Sequence, residues 1–241
     1  MSHAAAHIVL MRPQRALHLG AVARAMKNFG LSRLTLVTPR IGSWAEAWRT
    51  AVHAHDLLQQ VREAPDLDTA VADARWVVGT SNRPLPGQSL LTPRQVAERV
   101  PERGAPTLVF GDEQSGLNHA ELRRCHDLSM IPVAPAQSSL NLAQAVVVYA
   151  AELFAAAVAR DPTTPTAPGP AAAERANARL LQELARLLAR TLDQSAWADK
   201  SRPLDAIGEL VQPLWRAQLT VAEARAWLVA LGRIDRPPKQ G

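Results

Sequence analysis

The chain has 241 residues, of which 47% are hydrophobic, and this is enough to bury one sizeable core with a smaller appendage. Its formal net charge of +5 and its pI of about 10.3 favour an anionic partner such as RNA. A single cysteine, Cys125, excludes an intramolecular disulfide and predicts a buried thiol in a cytoplasmic protein. We expect no signal peptide, and no apolar run long enough to span a membrane.

Short apolar runs alternate with helical patterns along the first part of the chain. The runs predict strands near residues 7–11, 34–38, 75–79, 107–110 and 128–131. The segments between and after them predict helices near residues 19–29, 44–60, 66–73, 93–99, 119–125 and 139–159. This alternation predicts an α/β fold with a parallel sheet that is covered by helices on both faces. In such sheets ligands bind beyond the carboxyl ends of the strands.

Capping residues mark several of the predicted helix boundaries. Gly30 is expected to end the first helix, because glycine tolerates the left-handed conformation found there. Asn118 with Glu121 has the form of a capping box that opens a helix. Ser138 or Ser139 is expected to cap the helix that follows the strand near residues 128–131.

The loop Gly111–Leu117 lies between a predicted strand and a predicted helix. Its two glycines have the spacing of a phosphate-binding loop, but Leu117 and Asn118 stand where lysine and serine or threonine are required. Asp112 and Glu113 would also repel a phosphate. The loop therefore favours a neutral or cationic ligand, with an ordinary strand-to-helix turn as the alternative.

Three segments together resemble the three motifs of the TrmH (SpoU) family of SPOUT RNA methyltransferases. These segments are Gly20–Leu31, Gly111–Leu117 and Ser138–Asn141, and the resemblance covers about residues 7–155. It is greatest to the TrmJ-type branch, which methylates a ribose 2′-oxygen in the tRNA anticodon loop. The resemblance implies a parallel sheet with a C-terminal trefoil knot, S-adenosyl-L-methionine as cofactor, tRNA as substrate and a homodimer.

The resemblance also assigns roles to individual residues. Arg24 matches the catalytic arginine of the first motif, Glu113 and Gly116 match the second, and Ser139 and Asn141 match the third. Arg24 is expected to stabilise negative charge on the attacking oxygen, because arginine stays protonated in proteins. The implied cofactor pocket is formed by Thr80, Ser81, Asn82, Gly111, Gly116, Ile131, Ser138, Ser139 and Leu140.

Two positions depart from the family pattern. His18 stands where the family usually has asparagine, and Asp112 stands where it usually has a basic residue. We expect both changes to affect the RNA side of the site. They leave open two alternatives: an rRNA 2′-O-methyltransferase, and a SPOUT protein that binds RNA with weakened catalysis.

The other histidines and the tryptophans do not form a recognisable site. His53 and His55 are one residue apart on a predicted helix, so they do not share a face, and no metal site is expected. His119 and His126 are expected to be capping or surface residues. Core packing is expected for each of the 6 tryptophans.

The tail differs from the rest of the chain in composition. Residues 161–172 are proline-rich and predict a linker between a methyltransferase domain at 1–160 and a small all-α extension at 173–241. Leucines at helical spacing from Leu180 to Leu192 predict one helix, and Thr220 with Glu223 opens another. Arginines on these helices face either solvent or RNA: Arg175, Arg179, Arg186 and Arg190.

Overall fold

The computed structural model describes residues 6–83, 85, 90–137, 140–160, 174–194 and 206–234. The chain divides into two compact units, Met1–Val71 with Arg75–Ala167, and Ala72–Ala74 with Pro168–Gly241. The predicted linker at 161–172 lies outside the described residues.

A parallel sheet forms the centre of the first unit. Its strands are β1 (His7–Met11), β2 (Arg33–Val37), β3 (Arg62–Ala64), β4 (Val77–Thr80), β5 (Leu90–Leu91), β6 (Thr107–Phe110) and β7 (Asp127–Ser129). They form one 7-stranded sheet in the order β3-β2-β1-β6-β4-β7-β5, and each neighbouring pair is parallel. The register pairs Leu10 with both Leu36 and Phe110, and Thr80 with Ser129, so the carboxyl ends of the central strands meet at one edge.

Helices flank this sheet. They are α1 (Ala16–Asn28), α2 (Ala45–Thr50), α3 (His55–Gln59), α4 (Leu67–Ala70), α5 (Pro93–Arg103), α6 (His119–Leu122) and α7 (Leu142–Ala159). α1 packs against α2 and α7, and α5 also packs against α7. The α/β prediction is therefore confirmed, with all five predicted strands present.

The structure differs from the predicted elements where strands are short or helices break. β3 and β5 have only 3 and 2 residues, too few to give a sequence pattern. The predicted helix at 44–60 is two helices, and His53 between them has a left-handed backbone with φ +60°. Gly30 does follow the end of α1 with φ +71°, and the N–H groups of Gly30 and Leu31 donate to the carbonyls of Lys27 and Met26.

The start of α7 was predicted wrongly. Asn141, not a serine, is its N-cap: Asn141 Oδ1 accepts a hydrogen bond from Ala143 N at 2.9 Å, and Gln144 Oε1 accepts one from Asn141 N at 3.2 Å. Asparagine satisfies the free N–H groups of a helix start as well as serine does. Ser138 and Ser139 lie outside the described residues.

α7 also corrects the expectation that no apolar run approaches membrane length. It has 18 residues with Glu152 as its one charged side chain, and by length and composition it is a candidate membrane span within the described residues. A core helix passes the same test. Val146, Tyr149 and Leu153 are buried in the hydrophobic core, and the Tyr149 ring meets Phe110 edge-on at 5.6 Å.

Two side chains lie in unexpected environments. His126 is buried rather than exposed: its Nδ1 accepts a hydrogen bond from Val77 N at 3.0 Å, and burial lowers its pKa to about 4. Trp227 retains 50% of its exposure instead of packing in a core, whereas Trp76 and Trp215 are buried.

The second unit contains α8 (Ala178–Asp193), α9 (Ala206–Arg216) and α10 (Val221–Ile234). The leucine spacing predicted α8 correctly, and Leu181 and Leu184 are its buried leucines. Thr220 and Glu223 form the predicted capping box: Thr220 Oγ1 accepts from Glu223 N at 3.2 Å, and Glu223 Oε2 accepts from Thr220 N at 2.8 Å.

The contact between α1 and α2 depends on Gly20. A Cβ atom at this position would lie 2.0 Å from Thr50 Oγ1 and 2.3 Å from the carbonyl oxygen of Ala47. Because a carbonyl of a helix cannot move away easily, the two helices approach this closely only with glycine at position 20.

We predict that Gly20→Ala lowers the free energy of unfolding by about 2 kcal/mol in urea denaturation, because overpacking outweighs the better helix propensity of alanine. Gly42→Ala is the matched control, since a Cβ there has nothing within 4 Å. If Gly20→Ala is as stable as the parent, the close approach of these helices does not require glycine.

Candidate active site

The loop Gly111–Leu117 folds back on itself at the carboxyl end of β6. Asp112 and Gly116 form an antiparallel bridge, and Gly116 has φ +68°. A Cβ atom at Gly111 would lie 2.0 Å from the carbonyl carbon of Gly116, so no side chain fits there. Both glycines are therefore required by the shape of the loop itself.

Asp112 organises this loop from within. Its Oδ1 accepts hydrogen bonds from Gln114 N at 2.9 Å and Ser115 N at 2.7 Å, and Ser115 Oγ donates to Oδ2 at 2.6 Å. Burial by itself would raise the pKa of Asp112, but these hydrogen bonds and the nearby Arg12 charge lower it to about 2. Asp112 is buried and its oxygens are engaged within the loop, and its expected effect on the RNA side of the site stays a prediction.

Arg12 fastens the loop to the rest of the unit. It follows β1, and its guanidinium donates to both carboxylate oxygens of Glu121 on α6. The same group lies 3.4 Å from Asp112 Oδ2 and 3.4 Å from the carbonyl oxygen of Gly116. Sequence reasoning missed Arg12, although a lone arginine directly after a buried strand and at the same sheet edge as an acidic loop was an available signal.

Glu113, His18 and Asn141 form a chain of hydrogen bonds that joins α1, the helix that contains the first motif segment, to the second and third segments. Glu113 Oε1 accepts from His18 Nδ1 at 3.2 Å, and its two oxygens also accept from Gln14 N at 3.3 Å and Arg15 N at 3.4 Å. Asn141 Nδ2 donates to His18 Nε2 at 2.8 Å. The partners fit the histidine tautomer with its proton on Nδ1. The start of α1 is thus linked to the second and third motifs.

A cavity of about 270 Å³ lies beyond the carboxyl ends of β4, β6 and β7; we call it the first cavity. Its wall includes predicted cofactor residues from each of these strand ends and from the segment before α7. These are Thr80, Ser81, Asn82, Gly111, Gly116, Ile131 and Leu140. Ser138 and Ser139, the other two predicted cofactor residues, lie outside the described residues.

The floor of the first cavity is held by residues that the sequence did not indicate. Tyr149 on α7 donates a hydrogen bond to Ser129 Oγ at 2.8 Å, and Ser129 Oγ donates to the carbonyl of Leu91 at 2.8 Å. Arg83 Nη2 donates to the carbonyl of Ser115 at 2.5 Å and ties the loop after β4 to the acidic loop. These contacts fix the walls of the cavity from three sides.

A second cavity of about 570 Å³ adjoins the first, and we call it the amide cleft. Most of its wall is neutral and polar. The residues are Gln14, Arg15, His18, Glu113, Gln114, Gln137, Leu140, Asn141, Leu142 and Gln144. Glu113, Gln114, Leu140 and Leu142 also line the first cavity, so the two spaces share a wall.

Arg24 is not brought together with the other predicted catalytic residues within one chain. It is exposed on α1, and it lines neither the first cavity nor the amide cleft. Within the described ranges it has no hydrogen bond or ion pair. The structure therefore gathers Glu113 and Asn141 at one place, leaves Arg24 on an open helix face, and does not describe Ser139.

Comparison with known proteins gives the same family as the motifs. Residues 5–151 match the model of the SpoU rRNA Methylase family. The tRNA (cytidine/uridine-2′-O-)-methyltransferase TrmJ of Yersinia pestis (strain Pestoides F) is 32% identical over 97% of this chain and 94% of its own length.

Solved structures resemble the fold as well. The crystal structure of TrmJ from Z. mobilis ZM4 has a TM-score of 0.83 and 31% identity, covering 97% of this chain and 100% of that one. A structure described for 2-OH methylation of C/U34 on tRNA has a TM-score of 0.54 and 25% identity, covering 65% of this chain and 99% of that one. The AdoMet complex of the SpoU methyltransferase AviRb from Streptomyces viridochromogenes shares the fold at 17% identity and a TM-score of 0.52, covering 66% of this chain and 63% of that one.

The matched region, residues 5–151, contains every segment that meets at the two cavities, and the similarity to Yersinia TrmJ extends over nearly the whole chain. The chain belongs to the SpoU methylase family and is of the TrmJ type.

Proposed function

We propose that this chain is an S-adenosyl-L-methionine-dependent tRNA methyltransferase that acts on the ribose 2′-hydroxyl of cytidine or uridine in the anticodon loop, at position 32. The observation that supports this most is the Glu113–His18–Asn141 chain of hydrogen bonds, which links α1 to the second and third motifs at the amide cleft, with Glu113 lining the first cavity as well. A cytoplasmic location follows from the substrate.

The first cavity fits a nucleoside cofactor in its chemistry. Its lining combines the apolar side chains of Leu117, Ile131 and Leu142 with the hydroxyl and amide groups of Ser81 and Asn82, which suits an adenine ring attached to a ribose. Gly111 leaves backbone in place of a side chain at the wall. When bound, the cofactor supplies an electrophilic methyl group. Ser138 and Ser139 complete the proposed pocket by motif alone.

The protein's own groups orient the reaction. Glu113 is occupied by three donors, so its proposed role is to fix the loop and the start of α1 rather than to carry a proton. Asn141 has its oxygen committed to Ala143 N and one amide hydrogen to His18, which leaves its second amide hydrogen for the ribose or the methionine moiety. Ser139 is proposed to act beside it. The leaving group is a neutral thioether and the proton of the 2′-hydroxyl passes to solvent, so the protein's proposed task is to orient the reacting atoms and stabilise charge on the 2′-oxygen, and we propose no metal.

Arg24 fits this scheme if two chains share each site. Exposed apolar side chains lie on α7, before it and on α1: Val147, Val158, Leu140 and Leu17. A contiguous patch of exposed apolar side chains marks an interaction surface. We propose a homodimer formed through α1 and α7, in which Arg24 of one protomer lies at the cleft of its partner. The trefoil knot is proposed from the motifs and the shared fold.

We propose that residues 1–160 carry out methyl transfer, that residues 161–172 form a linker, and that the extension at 173–241 contributes affinity for RNA. The charges of α8 support the last point only in part. Arg179 pairs with Asp73 at 3.6 Å, and Arg175 donates to the carbonyl of Gln218, so the two arginines at the start of this unit are already engaged.

The direct test is methyl transfer in vitro. Purified protein is incubated with S-adenosyl-L-methionine and unmodified tRNA, and nuclease fragments are mapped by mass spectrometry. A 2′-O-methyl pyrimidine at position 32 supports the proposal. Modification at position 34, the position named for one structural neighbour, would move the site within the loop. Binding of tRNA without transfer, or transfer to rRNA alone, would overturn it.

We predict that Ala145→Leu weakens binding of S-adenosylhomocysteine by on the order of tenfold, because the larger side chain enters the first cavity from α7. Isothermal titration calorimetry measures the effect. Ala159→Leu is the control, since Ala159 is exposed at the end of the same helix. Equal affinity of the two variants would place the cofactor elsewhere.

We predict that Arg24→Ala lowers turnover by about a hundred- to a thousand-fold and leaves cofactor binding unchanged, because the charge contact at the attacking oxygen is lost. Arg24→Lys restores part of the rate, since lysine keeps the charge without the planar fork. Lys27→Ala on the same helix is the control and loses only an exposed ion pair with Asp56. Unchanged turnover in Arg24→Ala would remove this residue from the mechanism.

A mixture of Arg24→Ala and Ala145→Leu chains separates a shared site from a self-contained one. If Arg24 acts across the dimer, mixed dimers contain one site with both residues intact, and at a cofactor concentration too low for Ala145→Leu chains the mixture is more active than either variant alone. Activity equal to the average of the two variants would mean that each chain uses its own Arg24.

A further inference from the structure

Gln14 and Gln114 lie on different loops of the amide cleft, and in each the backbone N–H is bonded to a carboxylate while the side-chain amide is not bonded to any described residue. The Gln14 backbone N–H donates to Glu113 Oε2 at 3.3 Å, and the Gln114 backbone N–H donates to Asp112 Oδ1 at 2.9 Å. Among the described residues neither side-chain amide has a hydrogen-bond partner. The hydrogen bonds hold the two backbones in place. Because both residues line the cleft, their side-chain amides are available to a ligand there.

The electrostatic character of the cleft selects the class of that ligand. Glu113 is its one described carboxylate, and three N–H donors already occupy its oxygens. Arg15 is the one described permanent cation, and it is exposed. The available groups are therefore mainly neutral amides, each with a donor and an acceptor, and Leu140 adds an exposed apolar surface. Such a lining suits the polar edge of a planar, uncharged ring better than a phosphate.

The position of the cleft restricts the ligand further. Because Gln114 and Leu140 line both cavities, a ring held by Gln114 lies next to the group in the first cavity. In the proposed function that ring is the base of the nucleotide whose ribose is methylated.

We propose that Gln14 and Gln114 recognise the polar edge of the target pyrimidine and make the site accept both cytosine and uracil. Cytosine presents an amino donor beside a ring acceptor, whereas uracil presents a carbonyl acceptor beside a ring donor. A glutamine carboxamide can pair with either base, because a 180° rotation of the terminal amide exchanges the positions of its oxygen and its NH₂ group. This inference rests on the proposed function for the identity of the RNA.

The test changes the hydrogen-bonding capacity of each glutamine without changing its size. Gln114→Glu and Gln14→Glu present acceptors only, and Gln60→Glu adds the same charge at an exposed position outside the cleft. Binding of protein saturated with S-adenosylhomocysteine is measured for two anticodon stem-loops. They differ only by C or U at the nucleotide that the parent methylates, or at position 32 if it methylates none.

We expect the parent and Gln60→Glu to bind the two stem-loops within about threefold of each other. At least one of the two cleft variants should prefer the cytidine form by about tenfold, because its acceptor matches the amino group and opposes the uracil carbonyl. Gln114→Met, which has no such groups, should weaken both forms equally. Circular dichroism and the midpoint of thermal unfolding confirm that each variant is folded.

If both glutamate variants weaken the two stem-loops by the same factor, the glutamines do not recognise the base and the inference is overturned. Failure of the proposed function has a different signature. The parent would then transfer no methyl group to either RNA, whatever the ratio of the two binding constants.

Discussion

One carboxylate holds the candidate site together. Glu113 accepts hydrogen bonds from the backbone before α1 and from His18. The other ring nitrogen of His18 accepts a hydrogen bond from Asn141 at the start of α7. Hydrogen bonds to a charged group contribute about 1.5–3 kcal/mol each, so this network can fix three segments that are far apart in the sequence. The two cavities share the wall that the network builds, and their relative position depends on it.

The two departures from the family pattern have different meanings in the structure. His18 is a link in the network, because its two ring nitrogens connect Glu113 and Asn141. Asp112 belongs to the loop interior, where Ser115 and Arg12 hold its charge. Both side chains are therefore held by hydrogen bonds within the site.

The central sheet was predictable because β1, β2 and β6 consist mainly of apolar residues, as is typical of strands that are buried on both faces. Edge strands of 2 or 3 residues carry no such pattern. The predicted cofactor residues came from the motif resemblance, and several of them line one cavity because they lie at the strand ends. The Arg12–Glu121 pair and the capping role of Asn141 did not, because they depend on contacts between distant segments or on a choice among adjacent polar residues. Arg24 was identified by its motif alone, and its exposure in one chain came from the fold.

The nucleoside composition of RNA from cells that lack this protein tests the proposed methyl transfer in vivo. We predict that tRNA loses a 2′-O-methylated pyrimidine from its anticodon loop while rRNA is unchanged, and that the parent gene restores it. Unaltered tRNA, or the loss of a 2′-O-methyl nucleoside from rRNA instead, would contradict it.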